Sequence, residues 1–96
     1  MCNAFDNKNI YYLNMQEEDK VILQKFAKRL KTLRAKKYNS LNEFAFDSTS
    51  LTSATISRIE NATVDFKFTT LVKIAATLDI TPSELLKDID FESNVY

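Results

Sequence analysis

The complete absence of glycine restricts this chain's fold more than any other feature of its sequence. Glycine takes positive φ angles without steric cost, so it normally supplies tight hairpin turns and the left-handed caps that end helices. Without it, type I′ turns and left-handed caps have to use Asn or be avoided. Together with a single proline, this argues against a many-stranded β fold. We therefore expect a small all-α protein.

The side chains that carry much of enzyme and metal chemistry are also missing. There is no histidine, and the one cysteine is Cys2. A disulfide within the chain and a Cys/His zinc site are therefore impossible, and histidine-based acid–base catalysis is excluded. We interpret Cys2 as an unpaired thiol in a reducing compartment. We predict a cytoplasmic protein that is not an enzyme, has no cofactor or metal, and has neither a signal peptide nor a membrane span.

The formal net charge is zero, but the charges are unevenly distributed. Residues 1–19 carry a net −3, residues 20–73 carry eleven Lys and Arg against four acidic residues, and residues 74–96 carry a net −4. A basic middle segment is typical of a surface that faces phosphates. Lysine-rich solvated helix faces would give the same pattern, so charge alone leaves both interpretations open.

Apolar spacing and capping signals predict five helices. Their expected ranges are 17–37, 40–48, 52–61 and 69–78, with a fifth starting at residue 81. In the first, Ile22, Phe26, Leu30 and Leu33 form one apolar stripe. We divide the chain into an arm (residues 1–16), which is flexible or dimer-forming, a domain (17–90) and a tail (91–96).

Capping signals mark the starts of three of these helices. Ser40 and Glu43 form an S-x-x-E capping box, Thr52 is a favourable N-cap, and Thr81 precedes a proline at the first helical position. The fifth helix should present Leu85, Leu86 and Ile89 as its apolar face.

Residues 40–62 have the layout of a helix-turn-helix, with the turn at residues 49–51. The outer face of the second short helix carries Ser53, Ala54, Ser57 and Arg58. Short side chains would let its backbone approach base edges in the major groove, and the Arg58 guanidinium can reach O6 and N7 of guanine. Ser57 and the backbone amides near Leu41 could bind phosphate.

These segments resemble the lambda-repressor-like (Cro/cI, XRE) helix-turn-helix family of transcriptional regulators. The resemblance rests on TSATISRIE at residues 52–60, LNEFA at 41–45, TLVKIAATL at 70–78 and ITPSELL at 80–86. It covers residues 26–86 and implies a five-helix DNA-binding domain whose helix-turn-helix comprises helices 2 and 3.

The resemblance also implies roles for individual residues. The expected DNA base contacts are Ser53, Ala54 and Arg58. Phosphate contacts are expected at Leu41, Thr52 and Ser57, and we add Lys36 and Lys37 from the basic end of helix 1. An ion pair is expected between Arg34 and Glu60, and if it is buried, breaking one side should destabilise the domain strongly.

Two departures from the family pattern stand out. The turn between helices 2 and 3 is one residue longer than usual, so we expect the two helices to cross slightly differently. Ala62 stands where the family commonly has glycine after helix 3. A positive φ there would strain alanine, so we expect helix 3 to end in another way.

The predicted function is sequence-specific binding of a double-stranded DNA operator by a homodimeric transcriptional regulator, most simply a repressor. The half-sites of such a dimer should lie ~34 Å apart. The candidate dimer surfaces are the N-terminal arm, which carries Tyr11 and Tyr12, or helix 5 and the tail. The latter surface would comprise Leu86, Ile89, Phe91, Val95 and Tyr96. Alternatives are an antitoxin-type module that binds a protein partner, such as a toxin or another regulator, and a restriction–modification controller.

Overall fold

The computed structural model describes residues 17–91, which form five α-helices and no strand. The helices are α1 (Glu17–Lys37), α2 (Leu41–Ser48), α3 (Ser53–Glu60), α4 (Phe68–Thr77) and α5 (Pro82–Leu85). The all-helical fold with five helices is therefore confirmed. The arm (residues 1–16) and residues 92–96 of the tail, with Cys2, Tyr11, Tyr12, Val95 and Tyr96, lie outside the described residues. Within residues 17–91, no helix is long and apolar enough to span a bilayer.

Helix α1 has the predicted bounds, with three acidic residues in its first turn and three basic residues in its last. This order complements the helix dipole. The predicted apolar stripe is wrong in one member. Ile22 and Leu33 are both half-buried, but only Leu33 packs against the core, and Leu23 is buried in place of Ile22. The buried residues Leu23, Phe26, Ala27 and Leu30 follow the 3.6-residue helical period.

Side-chain caps begin three of the other helices where the sequence predicts them. The hydroxyls of Ser40, Thr52 and Thr81 each accept a hydrogen bond from the backbone amide three residues later. One hydrogen bond of the expected capping box has a different donor. The Glu43 carboxylate accepts from the Asn39 amide rather than from the Ser40 amide. Helix α4 lies one residue earlier than predicted, and α5 ends at Leu85.

Left-handed backbone conformations occur at four non-glycine positions among the described residues. They are Thr49 (φ 64°), Ala62 (φ 57°), Asp79 (φ 62°) and Asp88 (φ 65°). The expectation that such positions fall to Asn or go unused is therefore wrong. Left-handed conformations cost L-residues roughly 1–2 kcal/mol each.

The end of α3 shows how the chain manages without glycine. The Ala62 amide donates to the Ile59 carbonyl at 3.1 Å, and the Thr63 amide donates to the Arg58 carbonyl at 3.0 Å. These two bonds form a Schellman motif with Ala62 in the left-handed position. The expectation that α3 ends in another way is wrong, because two satisfied carbonyls compensate for the strain at one alanine. The same pattern ends α4, with Asp79 in place of Ala62.

One hydrophobic core joins all five helices. Its fully buried side chains are Leu30, Phe44, Ile56, Ile59, Ile74 and Leu85. Helix α3 packs against α1 and α2, α4 packs against α2, and α5 packs against α4. The three candidate dimer residues within the described part, Leu86, Ile89 and Phe91, are partly buried against this core. Much of their apolar surface is therefore already used within the domain.

Candidate DNA-binding site

The turn between α2 and α3 is fixed by the Ser48 hydroxyl. Its Oγ accepts a hydrogen bond from the Leu51 amide at 3.0 Å and lies 2.7 Å from the Ala45 carbonyl, to which it donates. Thr49, in the left-handed conformation, donates its amide to the Phe46 carbonyl. These local bonds set the direction in which α3 leaves the turn. No sequence motif indicates this role for Ser48.

Helix α3 has a buried face and an outer face. Ile56 and Ile59 on the buried face are 0% and 1% exposed, so they anchor the helix in the core. On the outer face, Ala54 and Arg58 are exposed, and Ser53 and Ser57 are half-buried. The residues predicted to contact DNA on this helix therefore lie on one accessible face, which consists mostly of short side chains.

Arg58 is the one long side chain on this outer face. Among residues 17–91, no acceptor or carboxylate engages its guanidinium, so its donors are available to a ligand. Its backbone is held, since its carbonyl accepts from the Thr63 hydroxyl at 3.1 Å. Next to it, the Asn61 side-chain amide donates to Ser57 Oγ at 3.3 Å. The serine hydroxyl is thereby oriented.

Arg34 of α1 and Glu60 at the end of α3 form a bidentate ion pair. The Arg34 Nε and Nη2 atoms donate to the two Glu60 carboxylate oxygens at 2.9 and 2.8 Å. The two side chains are only 14% and 4% exposed. The hydrogen bonds to Glu60 raise the pKa of Arg34, although partial burial acts in the opposite direction. This pair fixes the C-terminal end of α3 against α1.

Some of the groups expected to contact phosphate already make hydrogen bonds within the domain, and others do not. The Leu41 amide has no hydrogen-bond partner within the described residues, as is usual in the first turn of a helix, and Lys36 is exposed without a partner there. Lys37 is engaged, because its ammonium donates to the Thr77 carbonyl at 3.3 Å and lies 5.6 Å from the centre of the Tyr38 ring. The Thr52 hydroxyl is engaged as well, since it caps α3 and donates to Thr55 Oγ1.

Tyr38, between α1 and α2, connects elements that no sequence motif links. Its hydroxyl donates to the Asp47 carboxylate and also lies 3.3 Å from the Thr77 carbonyl at the end of α4. Its ring packs edge-on against Phe44 with 5.2 Å between ring centroids. The hydrogen bond to Asp47, assisted by burial and by the carboxylate charge, raises the pKa of Tyr38 to about 12. Tyr38 thus positions α2, and through it the helix-turn-helix.

Two aromatic side chains are exposed on helices next to the site. Phe46 on α2 is 87% exposed and Phe68 at the start of α4 is 74% exposed. Val72, one turn after Phe68, is 39% exposed. In the sequence, Phe46 lies off the helical face formed by Leu41, Phe44 and Ala45, which is compatible with packing on the end of α1 or on a partner, and no motif indicates a role for Phe68. Neither ring packs into the core of the domain.

Fold and site together define a helix-turn-helix domain: a capped α2, a short turn, and an α3 with an accessible polar face. A family model for the Cro/C1-type HTH DNA-binding domain matches residues 28–90, about two-thirds of the chain. The chain belongs to this family, which confirms the resemblance noted in the sequence. It is therefore a DNA-binding protein of the transcription-regulator type. Searches of curated proteins and of solved structures returned no match.

Proposed function

We propose that this protein is a sequence-specific transcriptional repressor that inserts α3 into the major groove of its operator. Ser53, Ala54 and Arg58 are the proposed base contacts. The observation that carries the proposal is the outer face of α3, where short side chains surround an Arg58 guanidinium that no described residue engages. An arginine fork reads guanine through O6 and N7, and occupancy of the operator is sufficient to block transcription.

Phosphate contacts would fix the position of α3 on the duplex. The free Leu41 amide at the start of α2 and the exposed Lys36 side chain are the strongest candidates. Ser57 can offer its hydroxyl, which accepts from Asn61. Thr52 and Lys37 would have to exchange existing hydrogen bonds for phosphate, so we rank them below the others.

A homodimer is part of the proposal, because one recognition helix contacts too few base pairs to select a site in a genome. In a symmetric dimer the two copies of α3 would lie ~34 Å apart, one turn of B-DNA. The exposed Phe46 and Phe68 side chains add a third candidate dimer surface to the N-terminal arm and to α5 with the tail. The surfaces on the helices can be separated by testing Phe46→Ser and Leu86→Ser variants for loss of the dimer by light scattering.

Selection from random duplexes tests the proposal directly. We expect enrichment of a site containing a guanine at the position of Arg58. Arg58→Ala should weaken binding to that site by ~1–3 kcal/mol and relax preference at that one base pair. If no sequence is enriched at moderate salt, or if Arg58→Ala weakens specific and random DNA equally, the reading role of α3 is refuted.

Lys36→Ala provides the complementary measurement. Loss of one phosphate contact should weaken binding to all sequences alike and lower the slope of log K against log salt by about 1. Lys31→Ala, which removes an exposed lysine from the same helix, serves as the charge-matched control. An unchanged slope for Lys36→Ala would remove Lys36 from the interface.

A protein-binding role is the second candidate, and the exposed Phe46 and Phe68 rings favour it. An antitoxin-type module of this fold, or a restriction–modification controller, would use such apolar surface for a toxin or another regulator. Exposed aromatic side chains are enriched in protein interfaces. A stoichiometric partner that co-purifies with the native chain and is lost in a Phe46→Ser/Phe68→Ser variant would support this role. Retention of the partner by that variant would contradict it.

A further inference from the structure

A cation-rich pocket lies between α1 and the segment that follows α5, and no residue of α3 lines it. Its volume is about 470 Å³, within the range of small-molecule sites. Four cationic residues line it, together with two acidic residues. They are Lys25, Lys28, Arg29 and Lys87, with Asp88 and Asp90. The lining therefore carries a net charge of +2.

Two of the four cations hold the walls of the pocket together. The Arg29 Nη2 donates to the Glu84 carbonyl at 2.9 Å, and its Nε donates to the Leu85 carbonyl at 3.3 Å. Arg29 thereby binds the last carbonyls of α5, where a cation is favourable. The Lys25 ammonium donates to the Asp90 carbonyl at 2.6 Å. These bonds connect α1 to the start and to the end of residues 84–90, the segment that contributes the rest of the pocket lining.

Lys28 and Lys87 play no such part. Both side chains are exposed, and neither makes a hydrogen bond or an ion pair with any of residues 17–91. They belong to different walls, one on α1 and one after α5. Two ammonium groups that line one pocket from different segments of the chain are suited to an anion that contacts both, because each acts as a flexible point charge toward phosphate.

We propose that this pocket binds a small, phosphate-bearing polyanion, held by Lys28 and Lys87 between walls fixed by Arg29 and Lys25. The partly buried Ile89 side chain supplies apolar surface beside the charges. None of the residues proposed to contact DNA lines the pocket, so this site is distinct from them.

The test is a titration of the full-length, isotope-labelled chain with sodium pyrophosphate, followed by amide chemical shifts, against sodium chloride at equal ionic strength. We expect saturable shifts centred on residues 28–32 and 87–90. The Lys28→Ala/Lys87→Ala variant should bind about tenfold more weakly, as expected for two exposed charge contacts. Its fold should be intact, since neither side chain contributes a bond to the domain.

Lys31→Ala/Lys73→Ala is the matched control, because it removes two exposed lysines outside the pocket and should bind pyrophosphate as the parent does. An equal loss of affinity in this control would reduce the effect to general attraction by positive charge and overturn the proposal. The absence of saturable shifts would overturn it too. Saturation of the same amides by a random-sequence DNA duplex, but not by pyrophosphate, would assign both lysines to the DNA backbone instead.

Discussion

Removal of Arg34 should destabilise the domain more than removal of any other charged side chain in the described part. In an Arg34→Met variant the Glu60 carboxylate, 4% exposed, loses both of its hydrogen-bond donors and has no route to water without displacing the end of α3. Breaking a buried pair from one side costs about 3–5 kcal/mol. A domain of this size is stable by roughly 5–10 kcal/mol, so the variant should lose about half of its stability.

The reverse substitution should be milder. Glu60→Gln keeps the shape of the side chain and one carbonyl oxygen that can accept from Arg34. The Arg34 side chain is 14% exposed and lies in the last turn of α1, so its guanidinium can move toward solvent. We therefore expect a loss of about 1–3 kcal/mol, the usual cost of a hydrogen bond to a charged group.

Urea unfolding followed by circular dichroism measures both free energies, provided that the m-value is unchanged. Lys31→Met is the control for loss of an exposed cation from the same helix and should stay within about 0.5 kcal/mol of the parent. An Arg34→Met/Glu60→Leu variant should recover most of the stability, because no buried charge is left unpaired. The reasoning is refuted if Arg34→Met costs less than about 1 kcal/mol, or if the double variant is no more stable than Arg34→Met alone.

Two further predictions concern backbone strain and a tyrosine. Ala62→Gly should stabilise the domain by about 0.5–1 kcal/mol, since it relieves the left-handed strain at the end of α3 but makes the unfolded chain more flexible. Ala35→Gly, at an exposed position in the last turn of α1, should instead cost up to about 0.5–1 kcal/mol, and a loss of stability in both variants would contradict the strain argument. Because the pKa of Tyr38 is raised from 10.0 to about 12, its contribution to stability should be intact below pH 10 and be lost as pH rises from 10 to 12. Ultraviolet titration of phenolate absorbance, with Tyr38→Phe to identify the signal, checks this, and a Tyr38 midpoint near 10 would show that the bond to Asp47 does not form.

Local signals in the sequence were sufficient to predict the helices. Capping hydroxyls at Ser40, Thr52 and Thr81 lie within three residues of the amides they bind, so their roles depend on spacing alone. The stripe in α1 was less well predicted. The direction of the stripe depends on which neighbouring helices pack against α1. The helical period of the sequence alone does not decide whether Ile22 or Leu23 is buried.

Interactions between distant parts of the chain were not predictable in the same way. Tyr38 and Thr77 are separated by 39 positions, and Arg29 and Leu85 by 56. Neither contact leaves a local pattern, because a tyrosine in a loop and an arginine on a basic helix face are common solvent-exposed residues. The Arg34–Glu60 pair, at a separation of 26, was proposed only because the family resemblance supplied it.

Ala62 forms a left-handed helix cap although it is neither glycine nor asparagine. Residue propensities favour glycine or asparagine at a left-handed cap because other residues are strained there. They do not include the hydrogen bonds that the cap supplies to the carbonyls of Arg58 and Ile59, which would otherwise lack partners at the end of a packed helix. Two hydrogen bonds and the burial of Ile59 outweigh roughly 1–2 kcal/mol of strain, so the cap forms with the residue available.

Interactions at both ends of α3 hold the proposed DNA-contacting face of this helix in place, although that face consists mostly of small side chains. Thr52 caps its first turn, the Schellman bonds close its last turn, and Glu60 ties that end to Arg34 on α1. None of these three devices occupies the outer face, which leaves Ala54 and Arg58 exposed. The residues that hold this eight-residue helix in position are therefore different from the residues that are free to contact DNA. A change at Arg34 should weaken DNA binding for every sequence, through the folded fraction and the placement of the end of α3, whereas a change at Arg58 should alter which sequence is bound.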